Sequence, residues 1–407
     1  MRTPVRGTLL AFATLCVTTA AHAQTSGAAA GFWPARDITI PPDPRAAPVR
    51  IGIWDSGVDT TLFADRLARD SAGRALIRGY DAFKRRQDLP LAVLAPELLD
   101  RQNELNAALQ AFDDLDSRVE SPAAAAMTER LAEMGKAEQN AFYGDIGSWS
   151  GYAHGTGVAD IAVTGNARAE IVIARMEWWH GSPPVPCWTH ELALREAESI
   201  GDLLRFIVES GARVVNLSWG RFERSYVSNL KECAPDMPEA DRLALARFTV
   251  DTIRSVLQAG MASAPDVLFV GAAGNEGRSV AAANPATRFS LPNFLLVGAV
   301  DHEGNATDFT NTGPEVTLYA NGHRVPARLP GGAPSSPSGT SMATPLVANA
   351  AAKALAMNPR LSGAELRTLL EQTADTNASG LRLLHTRRAV EAARQAKSPC
   401  RGSPCAP

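Results

Sequence analysis

The chain has 407 residues, 45% of them hydrophobic and 20% charged, a globular balance with enough apolar side chains for a sizeable core. Its formal net charge of −3 gives no sign of nucleic-acid binding, and none is expected. The length suits one large α/β domain carrying an insertion.

Residues 1–23 read as a secretory signal peptide. Arg2 and Arg6 supply the positive region, residues 9–20 a short apolar core, and Ala21-His22-Ala23 a small-x-small cleavage site, so the mature chain is expected to begin at Gln24, secreted or periplasmic. The apolar run is too short to span a bilayer. Leu15 precedes Cys16 where lipidation favours a small residue, and no later segment is apolar enough to cross a membrane. Residues 24–47, rich in Ala, Gly and Pro, read as an extended leader without a core of its own.

From residue 48 to 396 apolar runs alternate with helical periods. Runs suited to buried parallel strands lie at 49–53, 170–176, 213–218, 267–272 and 294–300. Helical patterns lie at 192–209, 240–258, 341–357, 363–373 and 386–396. This alternation predicts an α/β fold, a doubly wound and mainly parallel sheet flanked by helices, with function at the carboxyl ends of the strands. Residues 84–150 interrupt it. There Leu98, Leu105, Leu109, Phe112 and Leu115 share one helical face. Ser121-Pro122 supplies an N-cap and a first-turn proline, and Met127, Leu131, Met134 and Ala141 continue an apolar face. The expectation is an antiparallel helical hairpin, either a surface excursion or a lid that selects substrate.

Beyond the signal the cysteines are Cys187, Cys233, Cys400 and Cys405, an even count that allows three pairings. Sequence proximity favours Cys187–Cys233 and Cys400–Cys405, the latter in a Pro-containing tail over residues 397–407. The spacings do not form two close pairs with histidine partners, so zinc is not expected.

Four short islands carry candidate chemistry. Ile53-Trp54-Asp55-Ser56-Gly57 ends a strand on a carboxylate. His154-Gly155-Thr156-Gly157 follows the insertion. Ala272-Ala273-Gly274-Asn275 follows another strand, and Gly339-Thr340-Ser341-Met342-Ala343-Thr344-Pro345 opens an alanine-rich helix. A serine hydroxyl needs an adjacent base to act as a nucleophile, and a helix N-terminus favours negative charge beside it. The order Asp, His, Ser is one of the known arrangements of that trio. With these motifs the chain resembles the subtilisin-like serine peptidases, the subtilases, over residues 49–80 and 151–396. The resemblance implies that Ser341 attacks the peptide carbonyl, that His154 takes and returns the proton, and that Asp55 orients the imidazole. It assigns Asn275 to the oxyanion hole with the Ser341 amide. It also assigns Ser218, Trp219, Gly220, Ala272, Ala273 and Gly274 to substrate binding. Asp59 reads as a local turn cap, and the remaining histidines lack such a context.

The pattern departs from the family in places. Arg221 replaces a second glycine, Gly157 stands where histidine or arginine is common, and Leu346 stands where histidine is common. Residues 24–47 leave no room for a folded pro-region. The implied function is an exported serine endopeptidase acting on proteins or peptides through an acyl-enzyme, with no cofactor and no metal in the chemistry. Family members often bind structural calcium, and no acidic loop of this chain is specific enough to assign one. The alternatives are a dedicated processing peptidase with few partner substrates and a non-catalytic binding protein on the same scaffold.

Overall fold

The computed structural model describes residues 31–43, 47–116, 119–177, 186–283 and 287–396. The signal peptide and the Cys400–Cys405 pair lie outside them. The elements in chain order are α1 (Phe32–Arg36), β1 (Val49–Asp55), β2 (Ile77–Tyr80), α2 (Pro96–Asp100), α3 (Gln102–Asp116), α4 (Pro122–Glu133), α5 (Lys136–Val163) and β3 (Ala169–Met176). Then come α6 (His190–Glu209), β4 (Val214–Leu217), α7 (Glu223–Cys233), α8 (Glu239–Ala262), β5 (Leu268–Ala272), α9 (Val280–Ala283), β6 (Phe294–Val300), β7 (Val316–Asn321), β8 (Ala327–Arg328) and β9 (Pro334–Ser335). The chain continues with α10 (Thr340–Met357), α11 (Gly363–Thr373), β10 (Asp375–Thr376), β11 (Arg382–Leu383) and α12 (Thr386–Gln395).

Among the described residues nine strands form one sheet in the order β10-β11-β7-β6-β5-β4-β1-β3-β2. Every pairing is parallel except β10 with β11. The central strands are continuous apolar runs because both faces are covered. Helices α5, α10, α11 and α12 pack on one face and α6, α7 and α8 on the other. The carboxyl ends of β1, β4 and β5 lie side by side, since β4 pairs with both others. That edge is where a doubly wound sheet presents a crevice, and Asp55, Ser218 and Asn275 all emerge from it.

The strand readings stand to within two residues, and the 294–300 strand is reproduced in full. The insertion is more than the expected hairpin. Helices α2, α3 and α4 are followed by α5, a 28-residue helix that starts in the insertion and carries His154. The face expected to run from Met127 to Ala141 is broken at Met134, whose ψ of 138° is extended, and Gly135 begins a new helix. The apolar stripe is covered by Met127, Phe142, Ile146 and Trp149, and by Leu329 from beyond β8, so the insertion docks on the domain that bears the site. Ion pairs Arg101–Asp145 (2.6 Å) and Arg130–Glu104 (2.8 Å) tie its helices together.

The segment read as an extended leader also differs. It contains the short helix α1, and it is anchored. The Trp33 indole donates to the Asp301 carbonyl at 2.9 Å, and Ile40 bridges to Asn166. Lys353 of α10, buried, meets Asp37 at 2.9 Å. A tryptophan, an isoleucine and a charge pair supply this docking, which the Ala/Gly/Pro composition concealed. The Cys187–Cys233 disulfide forms, with Cα atoms 5.5 Å apart, and joins the approach to α6 to the end of α7.

Candidate active site

Asp55 ends β1 fully buried, and His154 reaches it from the middle of α5. The two meet with Nδ1 of His154 2.8 Å from Oδ1 of Asp55. A carboxylate accepts only, so Nδ1 donates in this bond, and in the neutral imidazole Nε2 is then the acceptor. The same Asp55 oxygen accepts from the Ser56 amide at 2.7 Å, which fixes the carboxylate. The helix can come this close because residue 155 is glycine. A Cβ there would stand 2.3 Å from the Gly57 carbonyl oxygen and 3.1 Å from the Asp55 Cβ. Thr156 adds a second tether by accepting from the Asp59 amide at 3.0 Å.

Asp59 does what the sequence reading gave it. It caps the 3-10 turn over Thr60–Phe63, accepting from the Thr61 amide and hydroxyl, and it also accepts from the Gly331 amide at 2.9 Å. Burial works against its charge, but these hydrogen bonds hold its carboxyl below the usual range.

Ser341 lies in the first turn of α10, after Gly339. Pro345 lacks the N–H that would bond the Ser341 carbonyl four residues back. That carbonyl instead accepts from the Ser218 hydroxyl at 2.9 Å, and Asn216 steadies the hydroxyl at 2.9 Å. The Ser341 hydroxyl donates to the Ser218 carbonyl at 3.2 Å. The proline thus releases a backbone acceptor that locks the end of β4 to the turn carrying Ser341.

Asn275 is oriented by Thr340, whose amide and hydroxyl both donate to Oδ1, at 2.9 and 2.8 Å. Two donors on one side of a side-chain amide leave its NH2 facing the other way, into the cleft. Gly274 before it has φ +100°, a left-handed conformation that favours glycine, and a Cβ there would stand 2.5 Å from Asn311 Nδ2. Buried Asn311 organises this loop by donating to the Ala273 carbonyl and accepting from the amides of Glu276 and Arg278.

His154, Asn275, Ser341, Ser218, Trp219, Gly220, Ala272 and Gly274 all line one cleft of about 420 Å³. Asp55 stands behind it, buried. Ala273, expected among the substrate-binding residues, is buried just past β5 and is absent from that lining, its amide donating to the Val297 carbonyl at 2.9 Å. Its methyl group packs with the core on the α6–α8 side of the sheet.

Beside this cleft is a feature the sequence reading missed. Arg221, the departure from glycine, turns inward and donates to Glu196 of α6 at 2.7 Å. Glu196 also accepts from Tyr226 at 3.1 Å and faces Lys84 at 3.6 Å. Burial works against the Glu196 charge, but Arg221 and Lys84 hold its carboxyl below the usual range. Burial pushes the Lys84 ammonium down despite Glu196. A lone glutamate in an amphipathic helix pattern gives no sign of this arrangement. Among the described residues no group of three or more His, Cys, Asp or Glu is placed to hold a metal ion, and no helix is long and apolar enough to cross a membrane.

With this fold and site, the chain belongs to the subtilase family, whose model, Peptidase_S8, matches residues 47–390. It is 35% identical over 108 residues to subtilisin E of Bacillus subtilis (strain 168), covering 26% of this chain and 28% of the relative. It is 38% identical over 114 residues to the subtilisin-like serine protease Pen ch 13 of Penicillium rubens, covering 28% and 26%. The match to the cell wall-associated protease of Bacillus subtilis (strain 168) spans 12% of that protein. The chain therefore aligns with well under half of each of these relatives. The fold is shared with the A-subunit of the AB5 toxin from E. coli, at a TM-score of 0.50 and 16% identity over 86% of this chain and 93% of that one.

Proposed function

We propose that this protein is an exported serine endopeptidase that hydrolyses peptide bonds through an acyl-enzyme. The observation that carries the reading is the 2.8 Å Asp55–His154 pair sharing a cleft with Ser341 and an Asn275 amide turned toward it. Ser341 turns its proton from the Ser218 carbonyl to Nε2 of His154 as Oγ attacks the substrate carbonyl. The resulting oxyanion receives the Asn275 NH2 and the Ser341 amide at the start of α10. His154 then passes its proton to the leaving amine, and the C–N bond breaks. Water, losing a proton to His154, attacks the ester, and Ser341 leaves with that proton. Asp55 holds the Nδ1–H tautomer throughout and stabilises the imidazolium. None of these steps needs a metal. Any structural calcium would act on stability alone.

The Cys187–Cys233 disulfide supports an oxidising, extracytoplasmic location. The reading is tested by incubating the purified protein with a denatured mixed proteome. Cleavage should be abolished in Ser341→Ala and should resist a chelator for as long as the protein stays folded. Robust cleavage by folded Ser341→Ala, or none by the parent protein, would refute it. A narrower reading, a processing peptidase with few substrates, draws support from α3. That insertion helix places Leu109, Phe112 and Asp113 in a cavity bordered by His154 and Ser341. The same digest separates the two by the number of proteins cut.

A further inference from the structure

The 420 Å³ cleft lies on one side of Ser341. A second cavity, of about 250 Å³, opens on the other, and the two share His154, Asn275 and Ser341. A peptide bond held between Ser341 and Asn275 must send one half of its chain into each. The first cleft is walled by Ser218, Trp219 and Gly220 at the end of β4, the edge suited to pairing with an extended acyl half. The second cavity is left for the leaving half. Its outer wall is α3, built from the insertion, through Leu109, Phe112 and Asp113; Leu329 and Met342 complete its apolar lining.

Asp113 is the charged group of that wall. It accepts from the Ser338 amide at 2.6 Å and from the Ser338 hydroxyl at 2.9 Å. Two hydrogen bonds leave carboxylate lone pairs unused. The neighbouring Asp114 is matched by Arg324 at 2.6 Å, whereas no ion pair to Asp113 forms among the described residues. Burial pushes the Asp113 carboxyl up and the charge of Asp114 adds to this, while the Ser338 hydrogen bonds and the charge of Arg324 offset it in part. A largely apolar trough ending in a carboxylate with no direct ion pair among the described residues fits a side chain with an aliphatic stem and a cationic head.

We propose that α3 forms a leaving-side specificity site that takes an arginine or lysine just after the scissile bond, its stem against Phe112 and Leu329 and its charge at Asp113. The site rests on the peptidase reading and adds a substrate class to it. It also gives the insertion a task, since without α3 the cavity would have no outer wall. Asp113 is a specificity residue in this scheme and takes no part in bond breaking.

The test uses the full-length mature protein and internally quenched peptides with one fixed acyl-side sequence, taken from a cleaved protein site. Arg, Lys, Leu, Phe, Ala or Glu is placed at the first or second leaving-side position. The readout is the ratio of kcat/KM for the Arg peptide to that for the Leu peptide within each protein, so that differences in active fraction cancel. The parent protein should favour Arg or Lys over Leu by about tenfold or more, the scale of a close, partly desolvated charge pair. Asp113→Asn should bring the ratio near one. Leu109→Lys, which sets a like charge in the same trough and leaves the Ser338 contacts alone, should lower it as well and serves if the first variant folds poorly. A parent that prefers Leu or Phe, or a ratio unchanged in a folded variant, overturns the site while leaving the peptidase reading intact. Absence of both peptide cleavage and phosphonate labelling of Ser341 overturns that reading and the site with it.

Discussion

Gly155→Ala puts the geometry of the Asp55–His154 pair under direct strain. The added Cβ would lie 2.3 Å from the Gly57 carbonyl oxygen, against an ordinary contact of 3.4 Å or more, and Gly57 N would be only 3.0 Å away. Both neighbours are backbone of the loop that carries Asp55, so no flexible side chain can yield. Helix and loop must separate by about 1 Å, a misplacement that can cost about 10²-fold in rate. That corresponds to about 2.7 kcal/mol of transition-state stabilisation. Overpacking should also cost about 1–3 kcal/mol of stability, partly offset by the better helix propensity of alanine. The assay is kcat/KM on a fluorogenic peptide, with active sites counted by phosphonate titration and folding checked by circular dichroism. A folded Gly155→Ala protein that keeps kcat/KM within about threefold of the parent would refute the claim that this close approach sets the catalytic geometry.

Glu196→Ala should be among the most damaging substitutions outside the catalytic residues. It removes the buried carboxylate that Arg221 and Lys84 share, at a cost of about 3–5 kcal/mol; a denaturant midpoint unchanged from the parent would contradict this. Replacing Cys187 and Cys233 together by serine should lower stability by at most about 4 kcal/mol, the chain-entropy limit for a loop with 46 residues of separation. An equal fall in the reduced parent protein would confirm the cause. Glu104 is held down to about 2, first by Arg101 and then by Arg130. A depressed carboxylate contributes its stability above its ordinary value of 4.5 and loses it as pH falls towards 2. The pair is partly exposed, so the effect should be modest and local. Hydrogen-exchange protection factors, corrected for the intrinsic rate at each pH, should fall in α3 and α4 across that window more than in the sheet, and less so in Glu104→Gln.

The catalytic candidates were legible because each sits in a short motif whose neighbours have local duties. Gly155 permits the approach to Asp55, Gly274 adopts the turn before Asn275, and Pro345 frees the Ser341 carbonyl. The sheet was legible because strands buried on both faces read as unbroken apolar runs. What escaped was long-range or lacked period. The second half of α5 is buried all round, so nothing in its pattern shows that it continues the insertion. The break at Met134 and Gly135 has no proline to mark it. Lys84, Glu196 and Arg221 come from three distant segments, and only the folded chain shows that they share one buried site. Asp113 stands out in no pattern of the sequence, and its place in the cavity that borders Ser341 depends on α3 docking through Leu105 and Leu329. The leader was read by composition, which hid the anchoring by Trp33 and Ile40.

The central claim is that Ser341 is the nucleophile, activated by His154 and Asp55. Its most direct test is to label the purified protein with a fluorophosphonate and map the adduct by peptide mass spectrometry. The account predicts one adduct, on Ser341, that is absent from Ser341→Ala and sharply reduced in His154→Ala. Labelling at another serine, or undiminished proteolysis by folded Ser341→Ala, would contradict it.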